Sequence, residues 1–477
     1  MLDWSVEMSE KENGKVSKAG IGYTIGNYLI RGLGFLTLPI FARLLSAADY
    51  GAYNTYVAYE SILFIFVGMA LHTSFKNARL KFSNEFNEYI SSCILLLFLN
   101  TACFLFLGNT IIGCLGFSNH TYVTILILHS FSTAIIGYYN SYLSIYYRSQ
   151  SYVKISLFNA VANIMLSVIL IVTVFKENRS DGRIIGIFLP SFFIAVGIVH
   201  YFWKQSKPKI SGKYWEYALK YSLPLIPHGI SQVLLSSFDR VMIQNMIGKS
   251  EAGIYSFSYN IYAIIFVTYS SLDQVWSQWF YEKMNERQTK EIRECANKYL
   301  FGMSLFTMGV MLISPEIVFF MGTKEYYDSV NLLVPVILGG FFSYMYGFPA
   351  IVEYYYEKTK YIAIGTMGAA AINIILNYVC IREYGYVAAA YTTLATYLLY
   401  FIFHYILSIR VNNGSIYDFK YFLFIMFLVI CNGVFVQCLM SLMWLRWLLG
   451  FVVGIILLFF LDRQFYLRDY IQNKFRY

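Results

Sequence analysis

Charge is scarce in this sequence. Only 13% of its 477 residues are Asp, Glu, Lys or Arg, whereas ordinary soluble domains carry about 25%, and the mean hydropathy is +0.54. That shortage excludes a soluble enzyme. Long polar stretches are missing too, so no sizeable extramembrane domain fits between the apolar runs. The seven cysteines, Cys93, Cys103, Cys114, Cys295, Cys380, Cys431 and Cys438, form no CxxC and no Cys/His spacing. They read as small membrane packing residues, not as disulfides or metal ligands. The six histidines, His72, His120, His129, His200, His228 and His404, give no ligand pair at helical spacing. They read as interfacial or packing residues, with His228 the one cavity candidate. No constellation of nucleophile and base appears, so neither catalytic residues nor a bound metal is expected.

What is present is apolar and aromatic: 58% hydrophobic residues, with 44 Tyr and 41 Phe. A bilayer span needs roughly 20 apolar residues. Windows between polar breaks predict an all-α integral membrane protein with fourteen transmembrane helices, near 19–41, 51–72, 89–108, 122–145, 154–175, 184–202, 221–247, 252–275, 299–321, 329–350, 362–381, 387–408, 421–440 and 443–461. The first of these reads as an uncleaved span, because Arg31 interrupts it and no small-residue cleavage site follows. The net charge of +9 then becomes a statement about loops. With the N-terminus inside, Lys and Arg favour the inside segments roughly threefold, which predicts that both termini are cytoplasmic. One loop runs against the rule: 176–183 is expected outside yet carries Lys176, Arg179 and Arg183. The inside loop with Lys204, Lys207, Lys209, Lys213 and Lys220 suits contact with anionic lipid heads.

A weak internal repeat accompanies the spans. LLSAADYGAYNTY (44–56) aligns with MIGKSEAGIYSFS (246–258), matching Asp49 with Glu251, Gly51 with Gly253 and Tyr53 with Tyr255. AVANIMLS (160–167) likewise aligns with AAINIILN (370–377). A six-span unit repeated in the same orientation is parallel. The expected lobes are 1–210 (helices 1–6) and 211–408 (helices 7–12), with 409–477 an added helix pair 13–14 and a cytoplasmic tail.

Ionisable side chains within spans are costly, by roughly 2.5 to 3.5 kcal/mol on insertion scales, and mark functional sites. Four lie well inside the predicted spans: Arg31, Glu60, Asp239 and Arg240. At about 1.5 Å per residue, Arg31, Glu60 and Asp239 fall at similar depths, about 12 to 14 Å from the outer face. Guanidinium groups form bidentate bonds to phosphate oxygens, so Arg31 and Arg240 are candidate substrate-binding cations. A structural bridge from Arg31 to Glu60 or Asp239 is the alternative. Glu60 and Asp239 are candidates for gating or ion coupling, or for simple charge balance. Tyr138, Tyr142 and Tyr146 recur every four residues on one helical stripe, and Tyr255, Tyr259 and Tyr262 form another. Such rings can stack on sugars or serve packing and interfacial belts. Pro224 and Pro227 remove backbone donors in the inner half of the seventh span and are candidate hinges.

These segments resemble a known family. YSLPLIPHGISQVLLSSFDRVMI (221–243) followed by GIYSFSYNI (253–261), and KTKYIAIGTMGAAAINIILNYVCIREYGYVAAAYTTLATY (358–397), are similar to polysaccharide flippases of the Wzx type in the multidrug/oligosaccharidyl-lipid/polysaccharide (MOP) exporter superfamily. The likeness rests on Pro224, Pro227, Asp239, Arg240, Gly253, Tyr255, Thr359, Asn373, Asn377 and Gly385. It implies a MATE-like fold and alternating access in a bacterial inner membrane. Its substrate would be an undecaprenyl-pyrophosphate-linked oligosaccharide, flipped outward for O-antigen or capsule assembly. The implied partners are that glycolipid, membrane lipids, a polysaccharide polymerase and a chain-length regulator, with no nucleic acid. No cofactor is implied beyond coupling to a proton or sodium gradient. Competing readings are a multidrug cation exporter, a lipid II flippase and a membrane-embedded oligosaccharide polymerase. The polymerase lacks a catalytic loop here.

Overall fold

The computed structural model describes residues 22–23, 26–30, 32–114 and 120–465. Inside a bilayer, backbone donors and acceptors find partners only within a helix or a closed barrel. The apolar runs accordingly fold as helices, and the described residues contain no strand. After α1 (32–44) come α2 (Ala47–Gly68), α3 (Phe75–Lys81), α4 (Phe86–Cys114), α5 (His120–Ile145), α6 (Ser149–Thr173), α7 (Arg179–Gln205) and α8 (Gly212–Ser222). Then follow α9 (Ile226–Met246), α10 (Lys249–Asn285), α11 (Thr289–Met321), α12 (Val330–Met345), α13 (Gly347–Tyr355), α14 (Thr359–Tyr384), α15 (Ala388–Asn412), α16 (Phe419–Cys438) and α17 (Met443–Phe465).

Each predicted span overlaps, over its described residues, one of these helices or the α12–α13 pair; the second runs past the end of α2 into the bend, and the seventh begins in α8 before its own helix α9. Among the described residues, ten helices are long and apolar enough to cross a membrane, and eleven if the bent pair of α2 with Leu71–Lys81 counts as one span. Spans seven and eight, α9 and α10, fall short of that measure. Ser, Gln, Asn, Tyr and charged side chains interrupt their apolar runs, as suits helices that line a polar interior.

The chain divides into two compact units, one of residues 1–37 with 49–241 and one of residues 38–48 with 242–477. In the first unit the sharpest feature is the 53° bend after α2. Met69 and Ala70 both take φ of 48°, a left-handed conformation that costs a non-glycine residue free energy. The bend frees carbonyls, and neighbouring helices collect them. Asn100 Nδ2 on α4 donates to Phe66 O at 3.1 Å and Val67 O at 2.8 Å, and Tyr138 OH on α5 donates to Gly68 O at 2.9 Å. Phe75, Phe82, Phe86, Tyr89, Tyr138, Tyr142 and Phe202 form the buried aromatic core beneath it. The same unit packs α6 tightly on α7: a Cβ at Gly186 would stand 2.3 Å from Ser167 Oγ and 2.5 Å from its Cα.

Outside the spans, α8 is an amphipathic helix capped by Ser211 Oγ, which accepts from the Tyr214 N–H. Tyr214 OH in turn donates to Glu85 Oε2 at 2.7 Å, and Lys213 Nζ lies 3.5 Å from the same oxygen. The Tyr214 hydrogen bond first, and the Lys213 charge second, hold the Glu85 carboxyl below its ordinary value. A depressed folded value means stability present at neutral pH and lost as pH falls through it. Thermal unfolding from about pH 6 down to about pH 3 should therefore lose slightly less stability in Glu85→Gln than in the parent protein. Parallel curves for the two would contradict this contact.

In the second unit, the 3₁₀ turn Lys324–Ser329 holds residues of the short 38–48 segment. Glu325 Oε2 accepts from the Ala47 N–H at 2.8 Å, and Tyr326 OH donates to Leu45 O at 3.0 Å. The α14–α15 contact carries a buried polar ladder in which Asn373 donates to Thr393, Asn377 donates to Asn373, and Thr392 donates to Asn377. The repeat is visible in the elements. Asp49 and Glu251 are each the third residue of their helix, α2 and α10, and Ser149 and Thr359 each open theirs, α6 and α14.

Candidate functional site

In the first unit, three helix ends bring polar side chains together: the start of α2, the start of α7 and the last turns of α9. Ser180 N–H at the head of α7 donates to Asp49 Oδ1 on α2 at 3.3 Å. Thr55 Oγ1 on α2 approaches Arg240 O on α9 at 3.5 Å. These contacts tie α2 to both neighbours. The Arg183 guanidinium lies 4.9 Å over the Tyr53 ring, and its Nη1 donates to Ser167 Oγ at 2.8 Å. The Arg240 Nη1 donates to Ser236 O at 3.0 Å, one turn earlier on its own helix. Tyr50, buried, interacts electrostatically with both guanidiniums, and its neighbour Asn54 donates to the Tyr50 carbonyl at 2.8 Å. Two cations thus flank one phenol and its amide. A guanidinium carries five N–H donors in a planar fork, so two of them at one place suit an anionic group with several acceptor oxygens, such as a phosphate.

The sequence-derived candidates divide as follows. Arg31 lies outside the described residues. Arg240 is half-buried in the cluster just described, and Asp239 beside it is buried. Glu60, two helical turns past Tyr53 on α2, is buried and hydrogen-bonded by Thr133 of α5, while its Oε1 has no partner. Pro224 and Pro227 do not bend a continuous helix: Pro224 sits in the 3₁₀ turn Leu223–Leu225 and Pro227 in the first turn of α9. Proline is tolerated there because the first-turn N–H groups have no intrahelical acceptor. The break between α8 and α9 therefore falls in the first residues of the predicted span, and the continuous helix starts after it, at Ile226.

Of the two uses that the tyrosine spacing leaves open, packing accounts for several of these residues. Tyr138 and Tyr142 belong to the packed core of the first unit, and the Tyr138 hydroxyl is taken by the Gly68 carbonyl. Tyr255 is fully buried too, donating to Tyr259 OH at 3.2 Å. Tyr259 and Tyr262 are half-buried. A stripe of one residue type marks a helix face, and here much of that face meets other helices.

Three further groups escaped the sequence reading. Arg183 was legible in part, as one of three basic residues in a loop that defied the charge rule; the structure draws it out of the loop and into α7. Arg446, near the start of the last predicted span and not singled out there, is buried in the first turn of α17 and bound to Glu316 of α11. His404, read as a packing residue, is fully buried and bonded to Glu353.

Long apolar helices in both units, with charged side chains on the most polar spans, define a multi-pass integral membrane protein. Solved structures share the fold. One is lipid II flippase MurJ in an inward closed conformation, with a TM-score of 0.69 and 17% identity, covering 94% of this chain and 100% of that one. Another is an inward-facing multidrug resistance MATE family transporter of the MOP superfamily, with a TM-score of 0.64 and 11% identity, covering 83% and 99%. A protein of the Lsg locus of Haemophilus influenzae is 24% identical over 360 residues, which are 70% of this chain and 86% of that relative. The family model Polysacc_synt, described as polysaccharide biosynthesis protein, matches residues 16–282. That is more than half of the chain, and the chain belongs to this family. The motif resemblance to polysaccharide flippases of the MOP superfamily is thereby borne out, as is the all-helical MATE-like fold. Family and fold are those of transporters.

Proposed function

We propose that this protein is a flippase that moves a polyprenyl-pyrophosphate-linked oligosaccharide from the cytoplasmic to the outer leaflet of a bacterial inner membrane by alternating access. The observation that carries this reading is the family match over residues 16–282. The site chemistry supports it, because Arg183 and Arg240 beside Tyr50 offer guanidinium donors suited to a pyrophosphate. Arg31 is proposed as a third cation of that path, and Asp239 with Glu60 as the carboxylates that move against these cations between states. Tyr259 and Tyr262, half-buried on α10, remain the aromatic candidates for contact with sugar rings. The basic-loop bias supports cytoplasmic termini, and with them a position of the Arg183–Arg240 cluster toward the outer face. Delivery would then feed a polymerase and chain-length regulator in the assembly of a surface polysaccharide such as O-antigen or capsule.

The reading is tested by reconstitution. Proteoliposomes holding the purified protein and a fluorescent polyprenyl-pyrophosphate oligosaccharide in one leaflet should show the label crossing to the other, as read by a membrane-impermeant quencher. Crossing no faster than in empty vesicles, with folded protein present under both proton and sodium gradients, would remove the assignment.

A further inference from the structure

Glu353 on α13 and His404 on α15 lie wholly within the second unit and are both fully buried, with Glu353 Oε1 2.7 Å from His404 Nδ1. Each group also has a second polar atom, Glu353 Oε2 and His404 Nε2, that is buried and has no hydrogen-bond partner. The walls are aromatic and close. The ring of Tyr400 is 4.5 Å from the imidazole, that of Phe403 5.2 Å and that of Tyr346 5.8 Å. On α14, a Cβ at Gly365 would stand 3.0 Å from Nε2. The bare backbone of α14 thus covers the far edge of the imidazole.

Charged groups around the pair do not neutralise it. Among the described residues, no Lys or Arg forms an ion pair with Glu353. Lys358 and Lys360 at the head of α14 are exposed; Lys358 reaches Glu353 only through its backbone N–H, which donates to the Glu353 carbonyl, and the Lys360 ammonium lies over Tyr361. From α10, Asp273 stands 3.6 Å from where a Gly347 Cβ would be, and it brings no positive charge. Tyr354 and Tyr281 line the same side, and on α15 the Tyr400 hydroxyl is taken by Thr366. Deprotonated, Glu353 with a neutral imidazole would carry one negative charge, buried and without a counter-cation, which is a strongly disfavoured state. One further proton on the pair brings it to zero net charge. A sodium ion fits poorly, since hard cations collect several oxygen ligands and this site offers two carboxylate oxygens with an imidazole against one of them.

We propose that Glu353 and His404 form a proton-binding site: occluded between α13, α14 and α15 it holds one proton, and it exchanges that proton when the helices part and water reaches Oε2 and Nε2. Coupling of this site to glycolipid movement rests on the flippase reading, whereas the proton binding itself does not. The step balances simply, with one proton leaving the pair for water and the carboxylate remaining.

The experiment uses the full-length protein in proteoliposomes without glycolipid, adsorbed on a solid-supported membrane and subjected to pH jumps. Wild-type protein should give a charge displacement whose pH-dependent component is lost in Glu353→Gln and in His404→Gln. A purely structural role predicts otherwise, because the amide introduced by Glu353→Gln keeps a hydrogen bond to the imidazole while losing the titration. Folding is checked by gel filtration and thermal unfolding, and if one variant fails to fold the other is read alone. Folded variants with the wild-type component intact would overturn the proposal. A parallel run with the fluorescent glycolipid separates the two readings. Wild-type protein that moves no glycolipid yet loses its proton signal on substitution would overturn the flippase reading and support the proton site.

Discussion

Replacing Arg240 with alanine should weaken glycolipid capture by about tenfold to a hundredfold, since hydrogen bonds to charged groups contribute about 1.5 to 3 kcal/mol each. Arg183→Ala should do the same, and the double variant should bring flipping in proteoliposomes to the empty-vesicle rate. The loss should fall on transport and not on folding. Both side chains are half-buried at helix ends, so their truncation opens no enclosed cavity. The Arg183 guanidinium donates to Ser167 and lies over the Tyr53 ring, and Arg240 donates to a carbonyl of its own helix. Arg240→Lys keeps the charge but loses the planar fork, so it should recover only part of the activity. Full flipping in the folded double variant would place the pyrophosphate elsewhere.

The largest effect on stability is expected at Arg446. Its side chain is 1% exposed and its partner Glu316 18%, and the guanidinium is fully engaged. Nε donates to Leu439 O at 3.2 Å, Nη1 to Leu312 O and Glu316 Oε2, both at 2.9 Å, and Nη2 to Met440 O at 3.2 Å and to Glu316 Oε1. One residue thereby closes the end of α16 and locks α17 to α11. Arg446→Ala would leave Glu316 charged and largely buried and two carbonyls of the α16–α17 turn unsatisfied, a cost of about 3 to 5 kcal/mol. That is a large share of a typical folding free energy of about 5 to 15 kcal/mol. The expected result is a strongly lowered thermal midpoint in detergent and low membrane levels. Because removing both charges is far less costly than removing one, Glu316→Gln combined with Arg446→Met should recover much of the loss. A double variant no more stable than Arg446→Ala would show that the carbonyl contacts, and not the ion pair, carry the clamp.

These residues also show where the sequence is readable. Span positions follow from the period of polar breaks, because a helix in lipid must be apolar over a length set by the bilayer; hence, among the described residues, every predicted span meets a helix. The placement of Asp239 and Arg240 within a span was equally legible, and it marked them as interior charges. Pairing was not legible. Arg446 stands beside Trp444 and Trp447, the company of an interfacial residue, and nothing local announces that Glu316, 130 residues earlier, meets it. Glu353 lies just beyond the polar edge assigned to its span, and His404 sits among Phe and Tyr; only the packing of α13 on α15 brings them together. Tyr138 is the opposite case. Its spacing was periodic, but the residue answers a local need, the carbonyl freed where α2 bends.

Alternating access by a glycolipid flippase makes one plain demand: the head group must change leaflet. The most direct measurement is therefore the sidedness of the lipid-linked oligosaccharide in cells that lack this protein and any second flippase for the same glycolipid, read with a membrane-impermeant glycosidase. The account predicts that the glycolipid accumulates on the cytoplasmic face, that wild-type protein restores its outward appearance, and that the Arg183→Ala, Arg240→Ala double variant does not. Normal outward appearance of the glycolipid in the absence of the protein would contradict it.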